Sequence, residues 1–288
     1  MYAAQAGLTA RLVWLIARGA RLELKDWEGR TALLWASRQG RVEVVRELLA
    51  RGAAVETATK SGATPLFIAS LNGHLEVVRE LLARGAAVDT AMNDGATPLF
   101  ISIQEGHLEV VRELLVRGAA VDTANNNGVT PLLISSQEGH LEVVWELLAR
   151  GAAVDTATNV GVTPLLISSQ EGHLEVVREL LVRGAAVDTA KRDGTTPLFI
   201  ASQDGHLEVV RALLARGAAV DTADDDGYTP LHTACVEGHL EVVRELLARG
   251  ASPNYAANDG STPLQTATAG DHHAIATLLQ RPPRKKAN

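Results

Sequence analysis

The chain has 288 residues, of which 46% are hydrophobic and only 3% aromatic, and its formal net charge is −7. This charge argues against general nucleic-acid binding, which needs a basic surface. The one cysteine, Cys235, excludes a disulfide within the chain, and no apolar run reaches the ~18 residues of a membrane span. We see no signal-peptide pattern at Met1, so we expect an intracellular, cytoplasmic protein, with a nuclear location as the alternative.

Glycine recurs every 33 residues along almost the whole sequence, at Gly29, Gly62, Gly95, Gly128, Gly161, Gly194, Gly227 and Gly260. A fixed period of this size is typical of a repeat array, in which each unit buries its apolar surface against its neighbours. The length alone would suggest about two domains. The repeat outweighs that expectation, and we predict a single array over residues 1–280.

The array is predicted to begin with part of a repeat. Gly7 and Gly19 fit the same period, so residues 1–25 form a partial N-terminal repeat with one full helix at residues 8–18. This segment is either a cap or the end of a chain cut from something longer. We favour the second, because a purpose-built cap would have a polar outer face. The side chains predicted to point inward from its helix are Leu12, Leu15 and Ile16.

The whole repeats follow in register at residues 26–58, 59–91, 92–124, 125–157, 158–190, 191–223 and 224–256. Residues 257–280 are predicted to be a C-terminal capping repeat, because the outer side of the second helix is more polar there. His272 and His273 in that helix would make at best a poor metal site. Residues 281–288 are predicted to be a flexible basic tail, with a nuclear-import signal at residues 284–286 as a weak alternative.

Within residues 59–91, the order of residues predicts a turn, a helix, a turn and a second helix. Thr64 and Pro65 are a typical helix start, because a hydroxyl caps free N–H groups and proline suits the first helical position. Gly73 is expected to end this helix, and the second should run over about residues 74–84. Its predicted buried side chains are Leu75, Val77, Val78, Leu81 and Leu82.

The pattern T-P-L-x-x-A/S, followed by G-H-L-E-V-V-x-x-L-L-x-x-G-A, closely resembles the ankyrin repeat over nearly the whole chain. The resemblance implies an all-α ankyrin-repeat solenoid of stacked helix-turn-helix units with turn or hairpin tips, curved with a concave face. It also implies a non-enzymatic protein–protein interaction module. In proteins of this family, the tips and the exposed side of the first helices form the recognition surface.

The repeats differ most from one another at the tips and on the first helices, so we predict that these residues bind the partner. Amides and carboxylates form a stripe along five repeats, which favours a basic protein or peptide, although a merely solvated acidic face is the alternative. Trp27 and Tyr228 are the expected aromatic anchors. The predicted partner-binding residues are Trp27, Asn93, Gln104, Glu105, Asn126, Gln137, Glu138, Asn159, Gln170, Glu171, Arg192, Gln203, Asp204, Asp225, Tyr228 and Glu237.

Histidine also recurs with the period of the repeat, at His74, His107, His140, His173, His206 and His239. Packed helices lie roughly 8–10 Å apart, so neighbouring members of this series cannot share a metal ion whose ligands lie within ~2 Å. We predict that these histidines tie the turn of one repeat to the backbone of the next. We expect no cofactor, no metal and no catalysis, and Cys235 should be a small packing residue.

Three alternatives stay open at this point. Trp145 stands where other second helices carry arginine. It either arose by neutral sequence drift or belongs to a second contact surface. The chain could instead be a structural spacer or tether within a larger protein. The family resemblance also suggests a substrate of an asparaginyl/aspartyl hydroxylase. This alternative is weaker, because only Asn254 is an asparagine at a position where regular repeats carry aspartate, as at Asp89 and Asp221. We expect a monomer with no membrane insertion.

Overall fold

The computed structural model describes residues 1–280, and all of the regular structure in those residues is helical. The chain forms two compact units, Met1–Ala152 and a second that starts at Ala153. The division follows the second helix of the predicted repeat at 125–157. The expectation that residues 1–280 form one array stays a prediction.

The helices of the first unit are α1 (Tyr2–Gln5), α2 (Thr9–Ala17), α3 (Ala32–Arg38), α4 (Val42–Ala50), α5 (Pro65–Leu71), α6 (Leu75–Ala83), α7 (Pro98–Gln104), α8 (Leu108–Val116), α9 (Pro131–Gln137) and α10 (Leu141–Ala149). Those of the second unit are α11 (Pro164–Gln170), α12 (Leu174–Val182), α13 (Pro197–Gln203), α14 (Leu207–Ala215), α15 (Pro230–Val236), α16 (Leu240–Ala248), α17 (Pro263–Ala269) and α18 (His273–Gln280).

Each unit is a stack of helix pairs with two layers. In the first unit, α5 contacts its own partner α6 and the first helices of the adjacent repeats, α3 and α7, while α6 contacts α4 and α8. In the second unit, α13 likewise contacts α14, α11 and α15. First helices therefore stack on first helices and second helices on second helices, which is the packing that a repeat of this length requires.

The predicted helix signals are confirmed. The Thr64 hydroxyl accepts a hydrogen bond from the Phe67 N–H at 3.2 Å, and Pro65 occupies the first turn of α5. Gly73 has φ +70°, a conformation that ends helices and that glycine adopts without strain. The predicted second helix at residues 74–84 is found as α6, one residue shorter at each end.

The core lies between the two layers, and fewer side chains of α6 are fully buried in it than predicted. Val77, Val78 and Leu81 of α6 are fully buried, whereas Leu75 and Leu82 are only half-buried because they lie at the edges of the apolar face. Full burial of such a side chain contributes about 1.5–3 kcal/mol. The expectation for Leu15 in α2 was wrong: its side chain is 36% exposed, while Leu12 is buried.

Within each unit, carboxylates near the end of a repeat bind the backbone of the following repeat. The N–H of Ala120 donates to Asp89 at 3.1 Å in the first unit. In the second unit, the N–H of Ser252 donates to Asp221 at 3.0 Å. These aspartates stand at the position considered for hydroxylation, and they hold successive repeats together. Asn254, the one asparagine at this position, is exposed.

Candidate functional site

A groove of about 770 Å³ lies over the tips and first helices of the first unit, and we call it the tip groove. Its apolar floor comes from α5 and α7, which place equivalent side chains side by side because they stack in register. The floor residues are Phe67, Ile68, Leu71, Phe100 and Ile101. Trp27 lies at the tip that precedes α3, and 75% of its side chain is exposed. The groove thus combines a preformed apolar floor with an exposed aromatic ring.

At the end of the tip groove near Trp27, the Asp26 carboxylate fixes the neighbouring side chains and backbone by hydrogen bonds. Its carboxylate accepts hydrogen bonds from Arg30 Nε at 2.8 Å, Trp35 Nε1 at 3.2 Å and the Glu28 N–H at 2.9 Å. Burial acts to raise the pKa of Asp26, but the hydrogen bonds from Arg30 and Glu28 outweigh it and lower this pKa to about 2. The carboxylate therefore stays ionised and fixes the arginine.

Arg30 lies between two tryptophans at this end of the groove. Its guanidinium carbon is 4.4 Å from the centroid of the Trp35 ring and 5.6 Å from that of Trp27. Such cation–π contacts are worth about 0.5–1 kcal/mol at exposed sites. They restrain the exposed Trp27 ring before any partner arrives.

The rim of the tip groove is polar and carries both signs of charge. Arg38 at the end of α3 and Lys60 at the next tip are exposed and cationic, whereas Asp94 is anionic. Of the predicted amide and carboxylate stripe, only Gln104 lines the groove. The predicted stripe therefore meets the tip groove only at this neutral amide, and none of its carboxylates lines the groove.

Two predicted tip residues donate hydrogen bonds from their side-chain amides to the backbone of the preceding repeat. Asn93 Nδ2 donates to the Lys60 carbonyl oxygen at 3.1 Å, and Asn126 Nδ2 donates to the Asn93 carbonyl oxygen at 3.0 Å. The backbone N–H of Asn126 also donates to the Asp94 carbonyl at 2.9 Å. These bonds fix the spacing of the tips in the first unit. A binding role for these asparagines stays a prediction.

The tips of the second unit are tied by backbone bonds. The Arg192 N–H donates to the Val160 carbonyl at 3.3 Å, and the Asp225 N–H donates to that of Asp193 at 2.9 Å. The side chains of Asn159, Arg192 and Asp225 are exposed. They remain predicted partner-binding residues.

The stripe of amides and carboxylates is solvent-accessible in both units. In the first unit, the Gln104 amide donates to Glu105 at 3.4 Å, and the Gln137 amide donates to Glu138 at 3.3 Å. The exposed members of the stripe are Gln104, Glu105, Glu138, Glu171, Asp204 and Glu237, and the half-buried ones are Gln137, Gln170 and Gln203. Their binding role stays a prediction.

The histidine series is structural, as predicted, but within each unit the bonds that its rings make run to the preceding repeat. His107 Nε2 donates to the Leu71 carbonyl at 3.1 Å, and His206 Nε2 donates to that of Gln170 at 2.8 Å. A Cβ at Gly73 would lie 2.6 Å from His107 Nδ1, so glycine is required where the ring passes. His272 belongs to the same series, because it donates to the Val236 carbonyl at 2.9 Å.

Two family models match the chain, and both describe ankyrin repeats. A three-copy model matches residues 1–92, 85–158 and 152–224, and a many-copy model matches residues 213–267. The chain belongs to the ankyrin-repeat family. A comparison with curated proteins found no significant match. Ankyrin repeats are generally protein–protein interaction modules and are typically non-catalytic.

Tyr228, the second predicted anchor of this ankyrin-repeat protein, is half-buried at its tip. Its hydroxyl donates to Asp259 at 3.0 Å, and its ring lies edge-on to His232 with the centroids 5.5 Å apart. Tyr228 is thus more restrained and less exposed than Trp27. Hydrogen bonds from Ser261 and from Tyr228 lower the pKa of Asp259.

Sequence reasoning missed Trp35 and Arg38, although the period could have revealed both. Trp35 lies 33 residues before Ile68, and Arg38 lies 33 residues before Leu71. Arg38 lines the tip groove, whereas Trp35 contacts it through Arg30. Both residues belong to the first whole repeat, whose sequence departs from that of the regular copies.

Cys235 packs in the core of the second unit, as predicted. Its side chain is fully buried in α15, and this burial raises the pKa of the thiol to about 12. The neutral thiol is a poor nucleophile at physiological pH. None of the helices described in residues 1–280 is long and apolar enough to cross a membrane.

Trp145 lies on the second-helix layer of the first unit and is 46% exposed. It lines a groove of about 480 Å³ together with His140 and Ile103. Within residues 1–280, His140 makes no bond to the preceding repeat like the one that His107 makes. Both interpretations of Trp145, drift or a second contact surface, stay open.

Proposed function

We propose that this ankyrin-repeat protein is a non-enzymatic binding module that holds a segment of a partner protein against its tips and first helices. The observation that carries this proposal is the tip groove of the first unit, where Trp27 is 75% exposed beside an apolar floor. Exposed tryptophan and arginine around a small apolar patch are typical of the residues that dominate binding energy at interfaces.

The surface is preformed, which favours binding. Hydrogen bonds from Asn93 and Asn126 set the spacing of successive tips, and Asp26 together with Arg30 restrains the ring at the groove's end. A partner would therefore lose little free energy in ordering this surface.

The floor and the rim indicate which partner would fit. The space above Phe67 and Phe100 suits apolar side chains, and the carboxylates of Glu105 and Glu138 would attract basic residues that extend beyond the groove. The attraction by these exposed carboxylates should weaken as salt is added, because salt screens charges over about 8–10 Å at physiological ionic strength.

The test uses peptides selected from a random display library on the wild-type protein. We expect Trp27→Ala to weaken their binding about 30-fold, as for a central interface residue. The matched control is Trp145→Ala, because Trp145 is also an exposed tryptophan of the first unit but lies outside the tip groove. Dissociation constants would be measured by fluorescence anisotropy.

The proposal would be wrong if the selected peptides bound wild type and Trp27→Ala equally well. Loss of binding in Trp145→Ala alone would assign recognition to the second-helix layer instead. Circular dichroism of both variants checks that each keeps its helical content.

A further inference from the structure

In several second helices of both units, a glutamate at an equivalent position pairs with two arginines. Glu80 accepts from Arg46 of the preceding repeat at 3.1 Å and from Arg84 of its own helix turn at 3.3 Å. The carboxylates that hold two such arginines are Glu80, Glu113 and Glu245, and each side chain is at most 16% exposed.

In the second unit, Ala212 stands at this position in α14. In the part of the chain that the structure describes, Arg178 of the preceding repeat therefore pairs only with Glu175 of its own helix, at 2.8 Å, and remains 53% exposed. Arg216 would pair with residue 212 as Arg84 pairs with Glu80. It donates to the Leu181 carbonyl at 3.2 Å and has no carboxylate partner within residues 1–280.

The missing side chain leaves a groove of about 590 Å³ between α12, α14 and α16. Its walls carry four arginines and two glutamates, a net charge of +2 in a chain whose formal charge is −7. Arg211 and Arg249 already bind Glu245, at 3.1 and 3.0 Å. Arg178 and Arg216 keep N–H donors available, and Val182 beside them is 62% exposed.

We propose that this groove docks an acidic segment of a partner protein, whose glutamate or aspartate carboxylate takes the place that Glu80 and its equivalents fill elsewhere. The chemistry follows from the chain itself, because the same two arginine positions hold a carboxylate at Glu80, Glu113 and Glu245. Arginine also suits a carboxylate better than lysine would, since its planar guanidinium presents several N–H donors in a fixed geometry. This surface is separate from the tip groove, which lies in the first unit.

The decisive variant is Ala212→Glu, which supplies the missing carboxylate from within the chain. A short fluorescein-labelled peptide rich in glutamate serves as the probe, and its glutamine counterpart is the neutral control. We expect the glutamate peptide to bind the wild type and to bind Ala212→Glu about tenfold more weakly, because Arg178 and Arg216 are then occupied. Ala212→Glu should fold at least as well as the wild type, since other repeats carry glutamate there.

The matched control is Ala83→Glu, the same change at the end of α6, where the nearby Arg84 and Arg117 already pair with Glu80 and Glu113. It alters the net charge equally and should bind the peptide as the wild type does. Arg178→Gln combined with Arg216→Gln should weaken binding as much as Ala212→Glu.

The proposal would be overturned if the glutamate peptide bound wild type and Ala212→Glu equally well. It would also be overturned if the glutamine peptide bound the wild type as tightly as the glutamate peptide does. Concentration-dependent sedimentation of the wild type that Ala212→Glu abolishes would assign the groove to a second copy of the chain and overturn the choice of partner. Trp27→Ala should leave this binding unchanged, which separates its outcome from that of the tip-groove proposal.

Discussion

His232 is the one histidine of this chain in a T-P-L-H element, and its ring is fully buried. Its Nδ1 accepts from the Thr229 N–H at 3.1 Å, and its Nε2 donates to the Ser261 carbonyl at 3.3 Å. The ring is therefore neutral, and burial lowers its pKa below the ordinary value of 6.5. In the next repeat, Gln265 makes the same cap by accepting from the Thr262 N–H at 2.8 Å.

His232→Gln should reduce the loss of stability on acidification. Because the folded pKa is lowered, the unfolded chain binds more protons below about pH 6.5, so the wild type loses stability as the pH falls through that value. Glutamine keeps the cap, as Gln265 shows, but does not titrate. The free energy of unfolding, measured by urea titration between about pH 5 and 7, should fall less steeply in the variant. Equal slopes would contradict the argument, and His273→Gln, at an exposed position, is the control.

The turn between the two helices of a repeat is stabilised where its histidine donates a hydrogen bond to the preceding repeat. His107→Ala removes the donor to the Leu71 carbonyl, whereas His140→Ala removes a ring that makes no such bond. We expect His107→Ala to lower the free energy of unfolding by about 1 kcal/mol more than His140→Ala, in line with one intramolecular hydrogen bond. Chemical denaturation of the two variants measures this difference. Equal destabilisation would mean that ring packing, not the bond, stabilises the turn.

The elements themselves were predictable because their signals are local. Thr64, Pro65 and Gly73 fix where α5 begins and ends, and the apolar spacing fixes the buried side of α6. The orientation of His140 was not predictable, because its own segment G-H-L-E-V-V is the same as in other repeats. The difference lies across the repeat boundary, where Ile103 lines its groove in place of the serine found at Ser70 and Ser136.

On the scale of each compact unit, the repeat predicts the architecture but not the candidate site. The tip groove draws Trp27 from the atypical first repeat, Phe67 from the next and Phe100 from the third, so its shape depends on how three repeats stack. Differences between repeats indicated that tips matter. They did not indicate that Asn93 and Asn126 would bind neighbouring tips, because those bonds depend on the distance between repeats.

Stacking also predicts how stability is distributed within a unit, since each repeat is stabilised by its neighbours. In the first unit, α2 buries only Leu12, whereas α8 buries Val110, Val111, Leu114 and Leu115. In the second unit, α18 buries Ile275 and Ala276, fewer side chains than α14. Amide hydrogen exchange followed by mass spectrometry should therefore be faster in α2 than in α8, and faster in α18 than in α14.

A cavity in the middle of the first unit tests whether neighbouring repeats share that stability. Leu114 is fully buried in α8, and Leu114→Ala should cost about 2–5 kcal/mol. Because α8 contacts α6 and α7, exchange should accelerate in those helices as well. Leu12→Ala is the control, since its effect should be confined mainly to α2 and to α1 and α4, the helices that contact α2. Acceleration restricted to α8 in Leu114→Ala would show that the repeats open independently and that neighbour contacts contribute little.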